Sequence, residues 1–590
     1  MRNMLIKVRE MMKEEGIDAF LVPTGDPHLS EYPASRYKDR EILTGFTGSW
    51  GTAIVLMDRA YVWIDGRYII QAHRQLKDSG FEILPAQDPK TPTIEGLLRD
   101  EIRAGETLAI PGLLVSEKSR RSYEEALRDQ GAKILDRNFL DDLWTERPSL
   151  PSAPLFVLEE RYAGKRVEEK LEEVRSVLVE KGAEMAVFSS LDDVAWALNL
   201  RGRDVPENPV FYSFLVVTRR EAILYLPKEK QTLELVDRLQ SHGVGVRHYE
   251  EIYEDGKNCR GTTILLDDAR TNTRLFRALE KGAKVIVGQS PIVGLKAIKN
   301  PVEQENLKKA YHADAIALVS YFYELTKRVE SGEELSEYEA QCLLEEYRKK
   351  DDLFIENSFT PISASGPNGA MMHYSAPEEG SGVLSKGDFY LIDSGGQYFT
   401  GTTDITRTLG FSQMTESMAR DYTLVLKSHM AIIRAIFLEQ TTGNELDAIA
   451  RQPLWKHHMD YKCGTGHGVG YLLNVHEGPH SISRAKIATA LEPGMVVTIE
   501  PGIYKEDEYG IRLENVVVVT EDGKSGDGAF YRFEPLSYIP FCRRAILPNL
   551  LDGEELSWLN AYHQKVYEDL KEDLPDDVRE WLYEETRPIQ

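Results

Sequence analysis

The chain has 590 residues, 42% of them hydrophobic and 28% charged, with 71 Lys and Arg against 96 Asp and Glu for a net charge of −25. This composition excludes a disordered or low-complexity protein, and the length exceeds what one hydrophobic core organises. The negative surface repels phosphate backbones and argues against nucleic acid as a general partner.

Cys259, Cys342, Cys463 and Cys542 stand far apart with no CxxC pair. That argues against a disulfide framework or a thiolate zinc site and suits a reducing compartment. The opening residues MRNMLIKVREMMKEEG alternate charged and apolar residues at helical spacing and lack the apolar core of a signal peptide. No stretch reaches the roughly 18 apolar residues of a membrane helix. A cytoplasmic protein with no membrane partner is expected.

In chain order, a charged helix over Leu5–Glu15 leads through Gly16 into the apolar runs around Phe20, Thr52–Leu56 and Tyr61–Asp65. A second helix over Lys170–Lys181 leads through Gly182 into Met185–Phe188, Phe214–Val217 and Ala222–Leu226. In each, a period near 3.6 gives way to short β-branched runs, the pattern of an α/β unit. The two segments read as two copies of one small fold. Between them, Arg147–Pro154 holds three prolines in eight residues and reads as a linker. At Asn300-Pro301-Val302-Glu303 a capping box with proline at the first position opens a helix that runs to Gly332. The expected division is 1–153, 154–299 and 300–590.

The last part carries the chemistry. Phe389–Gly396 is a strand followed by a turn, and its alternation puts Asp393 at the end of a buried row. Eleven residues on, Thr403-Asp404-Ile405-Thr406-Arg407 suits the returning strand of a hairpin, which would set Asp404 beside Asp393. Two carboxylates pressed together repel unless a cation or a shared proton compensates; turn-capping acids are the competing reading. The plan recurs at Val496–Gly502, ending in Glu500, and at Leu513–Val519, an apolar run interrupted by Glu514. A glutamate there is expensive unless paired or ligating, and an ion pair with Arg512 is the alternative. His467, inside Gly464–Gly470, adds an imidazole in a glycine-rich loop that matches no phosphate-binding motif. Two Asp, two Glu and one His carry too much negative charge for one small ion, whereas bridging carboxylates hold two divalent ions roughly 3.5–4 Å apart. Such hard donors favour manganese, with cobalt and zinc as alternatives.

The motif order LIDSGG, TTDITR, GTGHGVG, TIEPG and RLEN resembles that of the pita-bread metallopeptidases, and in particular their three-domain cytosolic aminopeptidase P type. TGFTGSWGTA and WIDGRY resemble its first domain, LNLRGRDVPENPVFYS its second, and FEPLSYIP with WLNAYH its C-terminal extension. The resemblance implies an α/β (α+β) chain: two creatinase-like α/β domains, then a pita-bread catalytic domain. It implies that Asp393 binds one metal, His467 the other, that Asp404 and Glu514 bridge them, and that Glu500 ligates and serves as general base. It places His373 and His476 at the substrate, orienting it and stabilising charge on the scissile carbonyl, and sends Arg67 towards bound peptide. Taken alone, each histidine reads as packed and Arg67 as a surface salt bridge. Cys463 departs from the pattern, because relatives can carry histidine there, four positions before His467.

The implied reaction is removal of the first residue from peptides with proline second, by attack of a metal-bridging hydroxide, in a homodimer built through the C-terminal unit. Trp558, Leu559, Trp581 and Leu582 suit such an interface and a helical core equally. The alternatives are a prolidase that cleaves only Xaa-Pro dipeptides and a non-catalytic peptide-binding module.

Overall fold

The computed structural model describes residues 2–590. The chain forms two compact units, the first reaching to Val157 and resuming over Lys165–Val293, the second comprising Leu158–Gly164 and Gly294–Gln590.

In the first unit, helix α1 (Arg2–Glu15) precedes strands β1 (Ala19–Pro23), β2 (Gly51–Leu56), β3 (Ala60–Ile64), β4 (Glu82–Pro85), β5 (Thr107–Ile110) and β6 (Lys133–Asp136), with helix α2 (Glu117–Ala126) between the last two. They form one sheet in the order β4-β3-β2-β1-β5-β6, and β1 runs antiparallel to β2 and parallel to β5. Its residues alternate between two cores, with Phe20, Ala53, Val55 and Val62 on one face and Leu21, Ile54, Tyr61 and Trp63 on the other. A sheet covered on both faces needs apolar residues at every position, which is why these strands read as unbroken apolar runs.

After helix α3 (Val167–Glu180) come β7 (Met185–Phe188), β8 (Phe214–Thr218), β9 (Ala222–Leu226), β10 (Val244–His248), β11 (Thr263–Leu266), helix α4 (Thr273–Gly282) and β12 (Lys284–Val287). The sheet order is β10-β9-β8-β7-β11-β12, the first order shifted by six throughout, with the same parallel and antiparallel neighbours. Ser116 and Asn272, the N-caps of the equivalent helices α2 and α4, meet in an antiparallel bridge. The repeat read from the sequence is therefore a repeat of topology.

The second unit opens on α5 (Pro301–Ser331), where the Asn300 side chain accepts from Val302 N and Glu303 N while Glu303 accepts from Asn300 N at 2.9 Å. Gly332 ends it in the left-handed region with φ 86°. Helix α6 (Glu337–Arg348) follows, then β13 (Phe354–Asn357), β14 (Ile362–Ser365), β15 (Tyr390–Ser394), β16 (Gly396–Tyr398), β17 (Gly401–Thr402) and β18 (Ile405–Leu409). Helix α7 (Glu416–Ile433), β19 (Ile436–Leu438), α8 (Gly443–Trp455), β20 (Gly466–Gly468), β21 (Glu477–Ile482), β22 (Val496–Ile499), β23 (Gly502–Lys505), β24 (Tyr509–Arg512), β25 (Asn515–Ser525), β26 (Gly528–Pro535), α9 (Gly553–Leu570) and α10 (Asp576–Glu585) complete it. The larger sheet runs β19-β26-β25-β22-β20-β21, and a smaller one runs β14-β15-β18.

Leu559 and Leu582 are fully buried, with Trp558 and Trp581 packed against the same core, so the helical-core reading describes these four residues. All four cysteines are free. No helix among the described residues is long and apolar enough to cross a membrane.

Candidate metal centre

Two hairpins of one design deliver four acids. Strands β15 and β18 pair antiparallel with Asp393 opposite Thr406, so Asp404, just before the second strand, stands two residues along from Asp393's partner and close enough for the two charges to interact. The turn between them is itself a small hairpin, β16 with β17. Strands β22 and β25 pair with Ile499 opposite Asn515, which brings Glu500 and Glu514 together, and β23 with β24 forms the small hairpin between them. The outer hairpin around the two Asp was legible from the sequence, while the inserted small hairpins were not.

His467 sits on β20, wedged between β21 and β22, with a bulge after it. Gly466 and Gly468 allow this wedge, since a Cβ at Gly466 would lie 1.9 Å from the Thr498 carbonyl and one at Gly468 2.2 Å from that of Glu477. The Nδ1 of His467 lies 2.9 Å from the Gly468 carbonyl oxygen. That oxygen only accepts, so Nδ1 carries a proton and Nε2 is the nitrogen that faces the acids, the one a metal would take in place of its proton. Nε2 is 3.4 Å from Asp404 Oδ2 and 3.6 Å from Glu500 Oε1. Asp404, His467 and Glu514 each present one ligand atom, all within 4.8 Å of one another.

Supporting bonds orient the acids. Thr406 Oγ1 donates to Glu514 Oε2 at 2.8 Å, and Thr498 Oγ1 to Glu500 Oε1 at 3.3 Å. Arg512 turns away from Glu514, its expected competitor partner, and donates through Nη2 to Asp393 at 2.5 Å, while Nη1 reaches the Tyr504 hydroxyl at 2.7 Å. Nothing in the local sequence identifies a partner more than a hundred residues away. Arg407, also fully buried, donates to the carbonyls of Glu514 at 2.5 Å, Ile539 at 2.7 Å and Pro540 at 3.1 Å, and to Tyr562 at 3.2 Å. It thus ties the backbone of the Glu514 strand to the C-terminal extension. A charged residue in an otherwise β-branched strand was the only sequence signal of that role.

The electrostatics are those of an acid cluster short of positive charge. Burial, then Asp404 and Glu500, outweigh Arg512 and push the Asp393 carboxyl up to about 6. Burial, then Asp404, Asp393 and Glu500, push Glu514 well above the ordinary range. Burial alone would lower His467, but its hydrogen bond to Asp404 and the charge of Glu500 hold it up at about 9. Asp393 Oδ1 is buried without a hydrogen-bond partner among the described residues. Divalent cations fit this donor set: they supply the missing charge and give that oxygen a partner.

Of the remaining predicted residues, His476 is half-buried and its ring meets that of His467 edge-on, centroids 4.4 Å apart. His373 is half-buried on the segment after the turn Gly366–Ala370, which packs on β24 so closely that a Cβ at Gly510 would lie 1.7 Å from the Gly369 carbonyl. Arg67 lies in the first unit, on the turn after β3, with Nε 2.7 Å from Asp65. The Cys463 thiol is pushed up to about 11 by burial, as inert packing requires.

Known proteins resemble the chain over its whole length. The sequence pattern of Metallopeptidase family M24 matches residues 305–521, and that of its C-terminal region 529–589. The Creatinase/Prolidase N-terminal domain matches twice, at 4–137 and 146–303. A probable Xaa-Pro aminopeptidase P of Coprinopsis cinerea is 38% identical over 99% of this chain and 98% of its own. Aminopeptidase P2 of Arabidopsis thaliana is 37% identical over 99% of this chain and 88% of its own. Among solved structures, the X-prolyl aminopeptidase of Caenorhabditis elegans, described as a cytosolic enzyme with a di-nuclear active site, superposes with TM-score 0.94 at 32% identity, covering 100% of this chain and 99% of its own. The expected fold class, two related α/β domains followed by a pita-bread unit, is the one found. The chain belongs to metallopeptidase family M24.

Proposed function

We propose that the chain is a two-metal aminopeptidase that releases the first residue of peptides whose second residue is proline. The observation that carries this reading is the convergence of Asp404, His467 and Glu514 on one point, in a chain related over its whole length to proteins named Xaa-Pro aminopeptidase P. Asp393, Asp404, His467, Glu500 and Glu514 are the proposed ligands. Two divalent ions, when bound, supply an activated water and polarise the scissile carbonyl. Manganese is our choice for a mainly oxygen shell.

The chain's own groups do the rest. The Xaa-Pro bond is a tertiary amide without an N–H, so recognition rests on shape and on the carbonyl. Glu500 takes the proton of the attacking water and carries it to the departing proline nitrogen. His476, edge-on to His467, and His373 orient the peptide and donate to the oxygen on which charge develops. Arg67 contributes from the first of three domains, bounded at 153 and 299. The cytoplasm is the proposed compartment, in keeping with four free cysteines. A homodimer through the C-terminal unit is the proposed assembly; light scattering that returned only a 67.0 kDa monomer would remove it.

The deciding experiment is hydrolysis of an Xaa-Pro-Xaa tripeptide by the manganese-loaded protein, with products identified by mass spectrometry. Release of the free first residue is expected. Cleavage restricted to Xaa-Pro dipeptides would make the protein a prolidase, and inertness towards both with two metals bound would make it a peptide-binding module.

A further inference from the structure

The first residue of α6, Glu337, is fully buried, although its position at a helix start would ordinarily leave a glutamate in solvent. Its carboxylate is taken up by four neutral donors of a single downstream segment. Ser365 N donates to Oε1 at 2.6 Å, Asn368 Nδ2 to the same oxygen at 3.0 Å, Tyr374 OH to Oε2 at 2.7 Å and Gly382 N to Oε2 at 2.8 Å. The backbone repeats the tie, with Glu337 N on the Gly382 carbonyl at 2.8 Å and Ser363 Oγ on the Glu337 carbonyl at 2.6 Å. A Cβ at Gly382 would stand 3.0 Å from the carboxylate, so the segment is pressed against it. The same segment lies against β24, Gly369 on Gly510, two residues from the Arg512 that holds Asp393. His373 immediately precedes Tyr374 and is thus carried by a loop clamped between a buried charge and the strand beside the acid cluster.

We propose that Glu337 is a positioning residue for His373, acting through the loop 365–382. The inference rests on the reading of His373 as a substrate-side imidazole. Charge-assisted bonds to an ionised acceptor are shorter and stronger than neutral ones, so one carboxylate fixes four points of a loop that has little regular structure of its own. A glutamine cannot replace it, because its amide would turn donors towards donors.

The test is a double-mutant cycle on tripeptide hydrolysis between Glu337→Gln and His373→Phe, with metal content and amide exchange followed in parallel. Expected for Glu337→Gln alone is a fall in kcat of about 30-fold or more, KM within about threefold, unchanged metal content, and faster exchange confined to 363–382. In the His373→Phe background the same change costs less than about threefold. A cost undiminished in that background, or one that follows metal loss, overturns the role of Glu337 and leaves that of His373 standing. Near-normal turnover of His373→Phe alone overturns the reading of His373, and the inference falls with it. If Glu337→Gln does not fold, Tyr374→Phe, which removes one donor and leaves the charge satisfied by the others, takes its place in the cycle with a smaller loss and the same non-additivity.

Discussion

Asp404 lies within reach of His467 and beside Asp393 and Glu514, so each neighbour's geometry depends on it. Asp404→Ala is expected to lower turnover on the order of 100-fold or more and to reduce bound metal, read by elemental analysis beside kinetics. Near-normal turnover at full metal content would contradict the ligand assignment. A second residue-scale test concerns Glu477, which follows His476 and takes the ammonium groups of Lys299 at 2.5 Å and Lys296 at 3.3 Å, all three buried. Glu477→Gln removes the negative charge that both buried ammonium groups face and should destabilise the second unit by about 3–5 kcal/mol, as for a broken buried pair; a thermal transition within a degree of the parent would refute it. The five candidate ligands were legible because each is an acid or histidine where the pattern demands an apolar residue or a tight turn. Arg512, Glu337 and Glu477 were not, because their meaning lies in partners chosen by the fold rather than by sequence spacing.

Between strands, legibility followed locality. The cap at Asn300, the proline after it and the left-handed Gly332 are decided within one helical turn, and α5 has the predicted ends. The outer hairpins of the centre follow from alternation and β-branching, while the inserted pairs β16–β17 and β23–β24 are too short to leave a period in the sequence. The glycines of the His467 loop suggested close packing, and the structure names what packs: β20 enters between β21 and β22 with no room for a side chain at Gly466. Gly466→Ala should therefore part these strands, cost about 1–3 kcal/mol, and weaken metal retention during dialysis against a chelator. Unchanged retention would mean that the wedge does not set the position of His467.

At the scale of the whole molecule, four buried histidines weaken the fold in acid. Burial lowers His28 and His480 to about 4, and His429 and His563 to about 3, the last two with help from the charge of Arg407. Above pH 6.5 both folded and unfolded forms are neutral. Below it the unfolded chain takes up protons that the folded chain refuses, so each histidine withdraws about 1.4 kcal/mol of stability per pH unit until its folded value is reached. His563 Nε2 accepts from Phe541 N at 3.2 Å, and His563→Gln keeps an acceptor there without the titration. The thermal transition of this variant should fall less steeply than the parent's between pH 6.5 and 4.5, and parallel curves would refute the assignment. The duplicated order of the first unit's sheets was visible as two similar helix-to-strand passages, but the parallel partners β1 with β5 and β7 with β11 pair too far along the chain to be placed from sequence.

The bonds of Arg407 also order events in time. A ribosome releases Asp393, Asp404 and Arg407 well before Glu514, and Glu514 before Ile539, Pro540 and Tyr562, which take further bonds from Arg407. At about 5–20 residues per second, the nascent chain spends seconds with half of its acids made and no strand to complete the cluster. Metal capture is thereby deferred to the closing stage of synthesis, and a ribosome stalled between β18 and β25 displays a chain whose first unit is fully made while its second still lacks Glu514.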